Sequence, residues 1–232
     1  MACALVATWW KGPSQRRLFS SVSINKENRR RWIDGVVLSG SKTHLVGYTR
    51  SLCILDGELF GTKYRMRDLL QDSREYSSAL CNIHTLMLVN IRVEHIGEEG
   101  FRTCFSAFRE TLTLLFLEFF STSFSAFVTL VDYFPNLTTL RLRSFDLEPD
   151  EKPVPTLSRP LRGKLHVQTT KPDPLELKFF GRLAKLDPEY EELVIDAGSL
   201  SPNRRTKFVE SILQISTGSV KYLKLAIEPV RE

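Results

Sequence analysis

The sequence predicts an α/β solenoid with irregular repeats, parallel strands on its concave face and helices on its convex face. Three observations predict it. A short pattern, apolar-x-x-apolar-x-apolar, recurs eight times along the 232 residues. The copies fall at near-even spacing. Between several of them lie stretches whose apolar residues follow a helical period.

The clearest copies are Ile83-Leu86-Leu88, Leu112-Leu115-Leu117, Leu137-Leu140-Leu142, Tyr190-Leu193-Ile195 and Val220-Leu223-Leu225. Weaker copies are Phe19-Val22-Ile24, Thr49-Leu52-Ile54 and Arg162-Leu165-Val167, the last two with a polar first position. The middle anchors are Val22, Leu52, Leu86, Leu115, Leu140, Leu165, Leu193 and Leu223, spaced 30, 34, 29, 25, 25, 28 and 30 residues apart. One such pattern is cheap in an apolar chain; eight at near-even intervals are not. The period lies at or just above the roughly 20–29 residues of a leucine-rich repeat. A further apolar residue follows five positions after the last anchor at Val93, Leu147, Leu200 and Val230. The polar Asn or Cys expected in between is replaced by Ile91, Phe120 and Phe145, which makes the repeat irregular.

Alternation within each copy gives a strand with one buried face. Helical stretches follow. "EEGFRTCFSAFRE" sets Phe101, Cys104, Phe105 and Phe108 on one stripe, and "SFSAFVTLVDYF" does the same with Phe124, Phe127, Val128, Val131 and Phe134 before Pro135. "PLELKFFGRLAKL" aligns Phe179, Leu183 and Leu186, and "NRRTKFVESILQI" aligns Phe208, Ile212 and Ile215. A single strand–helix unit cannot bury its apolar side, whereas stacked neighbours can. The acidic, proline-rich "EPDEKPVPTLSRP", Glu148 to Pro160, predicts a loop in place of one helix. Gly57 to Ala79 is polar and irregular. Leu112 to Phe134 is long enough to span a bilayer. Glu118, Asp132 and the break at Ser121–Ser123 instead predict strand, turn and helix, with no membrane span.

With 42% apolar and 25% charged residues, the chain is an ordinary core former. Its net charge of +5 is uneven, with Arg16, Arg17, Lys26, Arg29, Arg30 and Arg31 near the start. Such a cluster can grip nucleic acid or anionic lipid, although it more commonly forms a solvated surface. Cys3, Cys53, Cys81 and Cys104 have no paired spacing, and "MACALVATWW" lacks the basic flank of a secretory signal. Reduced thiols and an intracellular, cytoplasmic or nuclear location are expected.

"CALVATWWKGPSQRRLFSSVSI", Cys3 to Ile24, resembles the join between an F-box and its leucine-rich repeats in mushroom-type fungal F-box-like proteins. The matching residues are Ala4, Leu5, Val6, Trp9 or Trp10, Pro13, Arg17, Leu18, Phe19, Val22 and Ile24. "RSLCI" and "FPNLTTLRL" resemble repeats of the same group. The resemblance implies a remnant of the last F-box helix and join over 1–18, then an irregular repeat domain over 19–232. In that family the whole F-box binds the adaptor of a cullin-type ubiquitin ligase, and the repeats hold the substrate. The opening "LP-x-E" helix and the middle helices do not precede the join here. The expectation therefore carries to the repeat surface rather than to adaptor binding. A stand-alone repeat protein without a ligase role is the alternative, followed by nucleic-acid binding through the basic segment.

No catalytic pattern such as G-x-S-x-G, H-E-x-x-H or G-x-G-x-x-G occurs, so a non-enzymatic protein without cofactor or metal is expected. "GELFGTK", Gly57 to Lys63, has one residue too few between its glycines for a phosphate loop. Cys81, His84, His95 and Cys104 have metal-ligating chemistry, but His95 and Cys104 are not the close pair that zinc sites use. Residues alternating with the anchors supply the candidate site. Met87, Val89 and Phe116 form an apolar patch. Arg141, Arg143, His166 and Lys164 form a basic one, with Glu118 and Asp196 beside them. Such a surface suits a protein partner that carries an acidic segment and an apolar anchor.

Overall fold

The structure, a computed structural model, describes residues 8–25, 27–37, 43–55, 80–92, 102, 105–148, 150, 153, 155–169, 174–197, 200–216 and 218–226. The chain begins with α1 (Thr8–Leu18), β1 (Ser21–Ile24) and the short α2 (Arg29–Trp32). Three strands follow: β2 (Ser51–Leu55), β3 (Thr85–Val89) and β4 (Leu114–Glu118). Next come β5 (Ser121–Thr122), α3 (Phe124–Asp132), β6 (Thr139–Arg143) and β7 (Asp146–Leu147). The last elements are β8 (Arg162–Gln168), α4 (Pro174–Ala184), β9 (Glu189–Asp196), α5 (Pro202–Leu213) and β10 (Tyr222–Ala226).

Eight strands form one open parallel sheet in the order β1-β2-β3-β4-β6-β8-β9-β10, so spatial order follows chain order. The sheet is not closed into a barrel. All eight middle anchors lie opposite one another in a single row, from Val22 through Leu52, Leu86, Leu115, Leu140, Leu165 and Leu193 to Leu223. A second row runs from Ile24 through Ile54, Leu88, Leu117, Leu142, Val167 and Ile195 to Leu225. Strand side chains alternate between faces, so both rows point to one side. From β1 to β9 that side is buried.

The backbone bonding repeats with the sequence. Ahead of successive strands one carbonyl accepts two consecutive N–H groups: Ser20 from Arg50 and Ser51, Arg50 from His84 and Thr85, His84 from Thr113 and Leu114, Thr113 from Thr138 and Thr139. After β3, β4 and β6 the chain turns through a left-handed residue, Asn90 (φ 56°), Phe119 (φ 48°) and Ser144 (φ 48°). Each donates its N–H to the next strand, to Glu118, Arg143 and Gln168 respectively. One residue further on, Ile91, Phe120 and Phe145 are buried, and Phe120 stacks on Phe145 with centroids 5.3 Å apart. An apolar ladder thus fills the place where the repeat pattern predicts a polar residue.

Helices pack on the buried side through phenylalanines. Phe127 of α3 meets Phe179 of α4 edge-on at 4.9 Å, and Phe180 meets Phe208 of α5 at 5.8 Å. Edge-on contacts suit the ring quadrupole. Ser123 caps α3 by accepting from the Ala126 N–H, which satisfies one of the donors that a helix start leaves open. The strand and helix predicted over Leu112–Phe134 appear as β4 and α3, and the break between them holds the corner at Phe119 and the two-residue strand β5. No helix among the described residues is long and apolar enough to cross a membrane. The described residues between Glu148 and Pro160 form neither helix nor strand.

Two first positions of the repeat need adjustment. Thr49, the polar first position of its copy, is nevertheless buried, because its place in the repeat is an inward one. Arg162 is exposed, and Leu161, one residue earlier, is buried instead. Gly163 has φ 87°, and the register with β9 shifts between Gly163 and Lys164, so the local pattern slips by one. In "EEGFRTCFSAFRE" Arg102 and Phe105 are helical, a 3-10 turn follows at Ser106–Phe108, and Phe105 and Phe108 are buried. Phe101, Cys104 and the segment Gly57–Ala79 lie outside the described residues.

The two ends of the sheet differ. At β1, Val22 and Ile24 are buried, and Trp32 and Val36 pack against the core. At β10, Leu223 and Leu225 continue the two core rows yet stand 48% and 42% exposed, beside Tyr222 at 69%.

Candidate functional site

The side chains that alternate with the anchors form the opposite face of the sheet. Register places Met87, Phe116, Arg141, His166, Val194 and Lys224 in one row on β3, β4, β6, β8, β9 and β10. The next row holds Val89, Glu118, Arg143, Gln168 and Asp196. Lys164 lies in the row before, between Thr139 and Glu192. All nine predicted site residues therefore share this face, and each is half-buried. Strands about 4.8 Å apart hold neighbouring side chains against one another, which accounts for that intermediate exposure.

The charges are not distributed as one basic patch. Arg143 Nη1 pairs with Glu118 Oε1 at 2.8 Å, and Lys164 Nζ pairs with Glu192 Oε1. Such partly exposed pairs contribute only about 0–1 kcal/mol. Their larger effect here is to cancel charge locally. His166 is held below its ordinary pKa by burial first, then by Arg141, Lys164 and Lys224, with Asp196 opposing. At neutral pH its imidazole is therefore uncharged. Arg141 stands apart. It makes no ion pair and no hydrogen bond among the described residues, and its Nε is buried without a partner. The face thus reads, across the strands, as an apolar step at Met87 and Phe116, an unpaired guanidinium at Arg141 and a neutral imidazole at His166. Neutralised ion pairs flank them.

Two relevant residues escape a reading of single repeats. Glu192 was accessible by aligning the copies on their anchors, since Lys164 and Glu192 each precede an anchor by one. The same alignment sets Glu118 against Arg143, each three past an anchor. Phe119 is the other. It occupies the left-handed corner at the end of β4 and is 54% exposed. No local pattern marks an aromatic residue for that conformation.

Among the described residues no group of three or more His, Cys, Asp or Glu side chains is placed to hold a metal ion. With Nδ1 protonated, His84 donates to the Thr111 carbonyl at 3.0 Å. Cys81 is a free, exposed thiol, and His95 and Cys104 lie outside the described residues. Cys53, on the same face as Met87, is free, and burial pushes its thiol pKa up, with Glu118 adding and a Ser23 hydrogen bond opposing. That keeps it protonated and a poor nucleophile. Of the N-terminal basic residues, Arg16 lies over the Tyr48 ring at 5.7 Å, and Lys26 is outside the described residues. No protein-family model and no curated protein matches this chain.

Proposed function

We propose that this chain is a non-enzymatic protein-interaction module built as a leucine-rich-repeat-type solenoid. On this reading the half-exposed sheet face is concave and holds the partner, as the repeats do in F-box subunits of cullin-type ubiquitin ligases. The observation that carries the proposal is the in-register row Met87, Phe116, Arg141 and His166 on a parallel sheet whose strands follow chain order. A rigid ladder of this kind presents apolar, cationic and polar groups at fixed spacing without any loop having to order, which lowers the entropic cost of association. Aromatic and arginine side chains are the residue types that most often dominate binding energy.

The test is quantitative affinity capture with the full chain, the double variant Phe116→Ser with Arg141→Glu, and Leu213→Ser on α5 as a control away from the face. Circular dichroism confirms that each is folded. Selective loss of a reproducible partner set in the double variant sustains the proposal; equal capture by all three removes it. Titration with the purified ligase adaptor decides the ligase connection separately. Absence of adaptor binding leaves a stand-alone interaction module.

A further inference from the structure

Phe119 sits in a backbone conformation that works against its own side chain. Left-handed φ is uncommon outside glycine, least so for Asn and Asp, and a bulky residue there is an outlier. The equivalent corners after β3 and β6 hold the small polar residues Asn90 and Ser144. Phe120, next in sequence, is buried in the aromatic core, whereas Phe119 is 54% exposed. The fold gains little from this ring to offset the strain. The corner itself belongs to the repeat; what the fold does not explain is an exposed aromatic residue in it, and such unfavourable choices cluster where a protein meets a ligand.

Arg141 is the second, independent observation. It lies on the adjacent strand with its guanidinium unpaired among the described residues. Of the nearest carboxylates by register, Glu118 and Glu192 are engaged by Arg143 and Lys164, and Asp196, as far from Arg141 as Glu192 is, forms no ion pair with it. What this locus lacks is an acceptor. Phe119 is level with Ser144, three residues past Arg141 and one strand across, so the two backbone positions are about 11 Å apart. An extended peptide covers that distance in about three residues.

We infer that Phe119 and Arg141 together select an extended protein segment with a carboxylate and, about three residues away, an apolar side chain. The carboxylate pairs with Arg141 and the apolar side chain packs on the Phe119 ring. This rests on the interaction reading above and names the chemistry of its partner. The aromatic corner supplies apolar contact area beyond the end of the strand, and the cation fixes register along the face.

The test is selection from a displayed library of random 12-residue peptides against the full chain and two variants, Phe119→Asn and Arg141→Gln. With the wild-type chain, enriched peptides should carry Asp or Glu about three positions from Leu, Ile, Phe or Met. Arg141→Gln should remove the acidic preference, and Phe119→Asn the apolar one, each with at least tenfold weaker binding of the wild-type consensus. Thermal melting supplies a second readout. Because Asn tolerates the left-handed corner, Phe119→Asn should leave the melting temperature unchanged or raise it. A clear fall would make the ring structural and overturn the inference. Enrichment unchanged by both variants overturns it while leaving the interaction reading intact. No enrichment overturns it as well, and the affinity capture above then decides whether the broader reading survives.

Discussion

Replacing Leu223 by alanine, beside the same replacement at Leu193, isolates what the open end of the sheet does to the core. The two leucines are opposite each other in one row, on adjacent strands. Leu193 is fully buried and Leu223 is 48% exposed. Removing a buried leucine side chain down to alanine costs about 2–5 kcal/mol, because a cavity remains where the methyl groups were. At Leu223 about half of the 1.5–3 kcal/mol for full burial is at stake, and the site opens to solvent, so no closed cavity forms. Leu223→Ala should therefore cost about 1 kcal/mol. Urea unfolding followed by far-ultraviolet circular dichroism measures both. With an m value of about 3 kcal/mol/M, midpoints should fall by about 1 M for Leu193→Ala and about 0.3 M for Leu223→Ala. Equal shifts would show that β10 is covered as fully as β9 and would refute the open end.

Gly163→Ala should destabilise the chain by at least about 2 kcal/mol, since φ is 87° and an added Cβ would lie 2.2 Å from the Thr138 carbonyl oxygen; an unchanged unfolding midpoint would contradict that geometry. Tyr190→Phe should be neutral or stabilise by up to about 1 kcal/mol, because the Tyr190 hydroxyl is buried without a hydrogen-bond partner. Burial pushes the Tyr190 phenol well above its ordinary value, so wild-type stability should fall as pH rises past about 10, where the unfolded chain ionises first; Tyr190→Phe should lose that component. His166 is shifted the other way. Its stabilising effect is complete above about pH 6.5 and is lost as pH falls through its lowered folded value, so His166→Gln should flatten the fall in melting temperature below about pH 6.5.

The sheet was legible because its signal is repeated. A leucine at each anchor is weak evidence alone, but register depends only on the anchors being equivalent, and the eight named from sequence are the eight in the row. The candidate face followed at once, since alternation assigns every second residue to it. What stayed hidden depends on relations between copies or on backbone dihedrals. The Glu118–Arg143 and Lys164–Glu192 pairs join residues 25 and 28 positions apart and turn an expected basic patch into a largely neutralised one with Arg141 at its centre. Leu161 replaced Arg162 because Gly163 bends the strand entry, a turn that one glycine in a polar stretch does not announce. The left-handed corner at Phe119 had no cue, because residue type there disagrees with conformation.

Strand order that follows chain order also has a consequence for synthesis. Successive anchors are 25 to 34 residues apart. A ribosome adding about 5–20 residues per second delivers one strand every few seconds. Hairpin-scale pairing takes microseconds, so each strand meets a finished edge long before the next emerges. No strand has to wait for a distant partner. β1 is made before β10, and at every stage the growing edge is the newest strand, while every strand between it and β1 is paired on both sides. The inner strands of a nascent chain are thus kept from edge-to-edge aggregation, and the exposure is confined to the two edge strands of the moment.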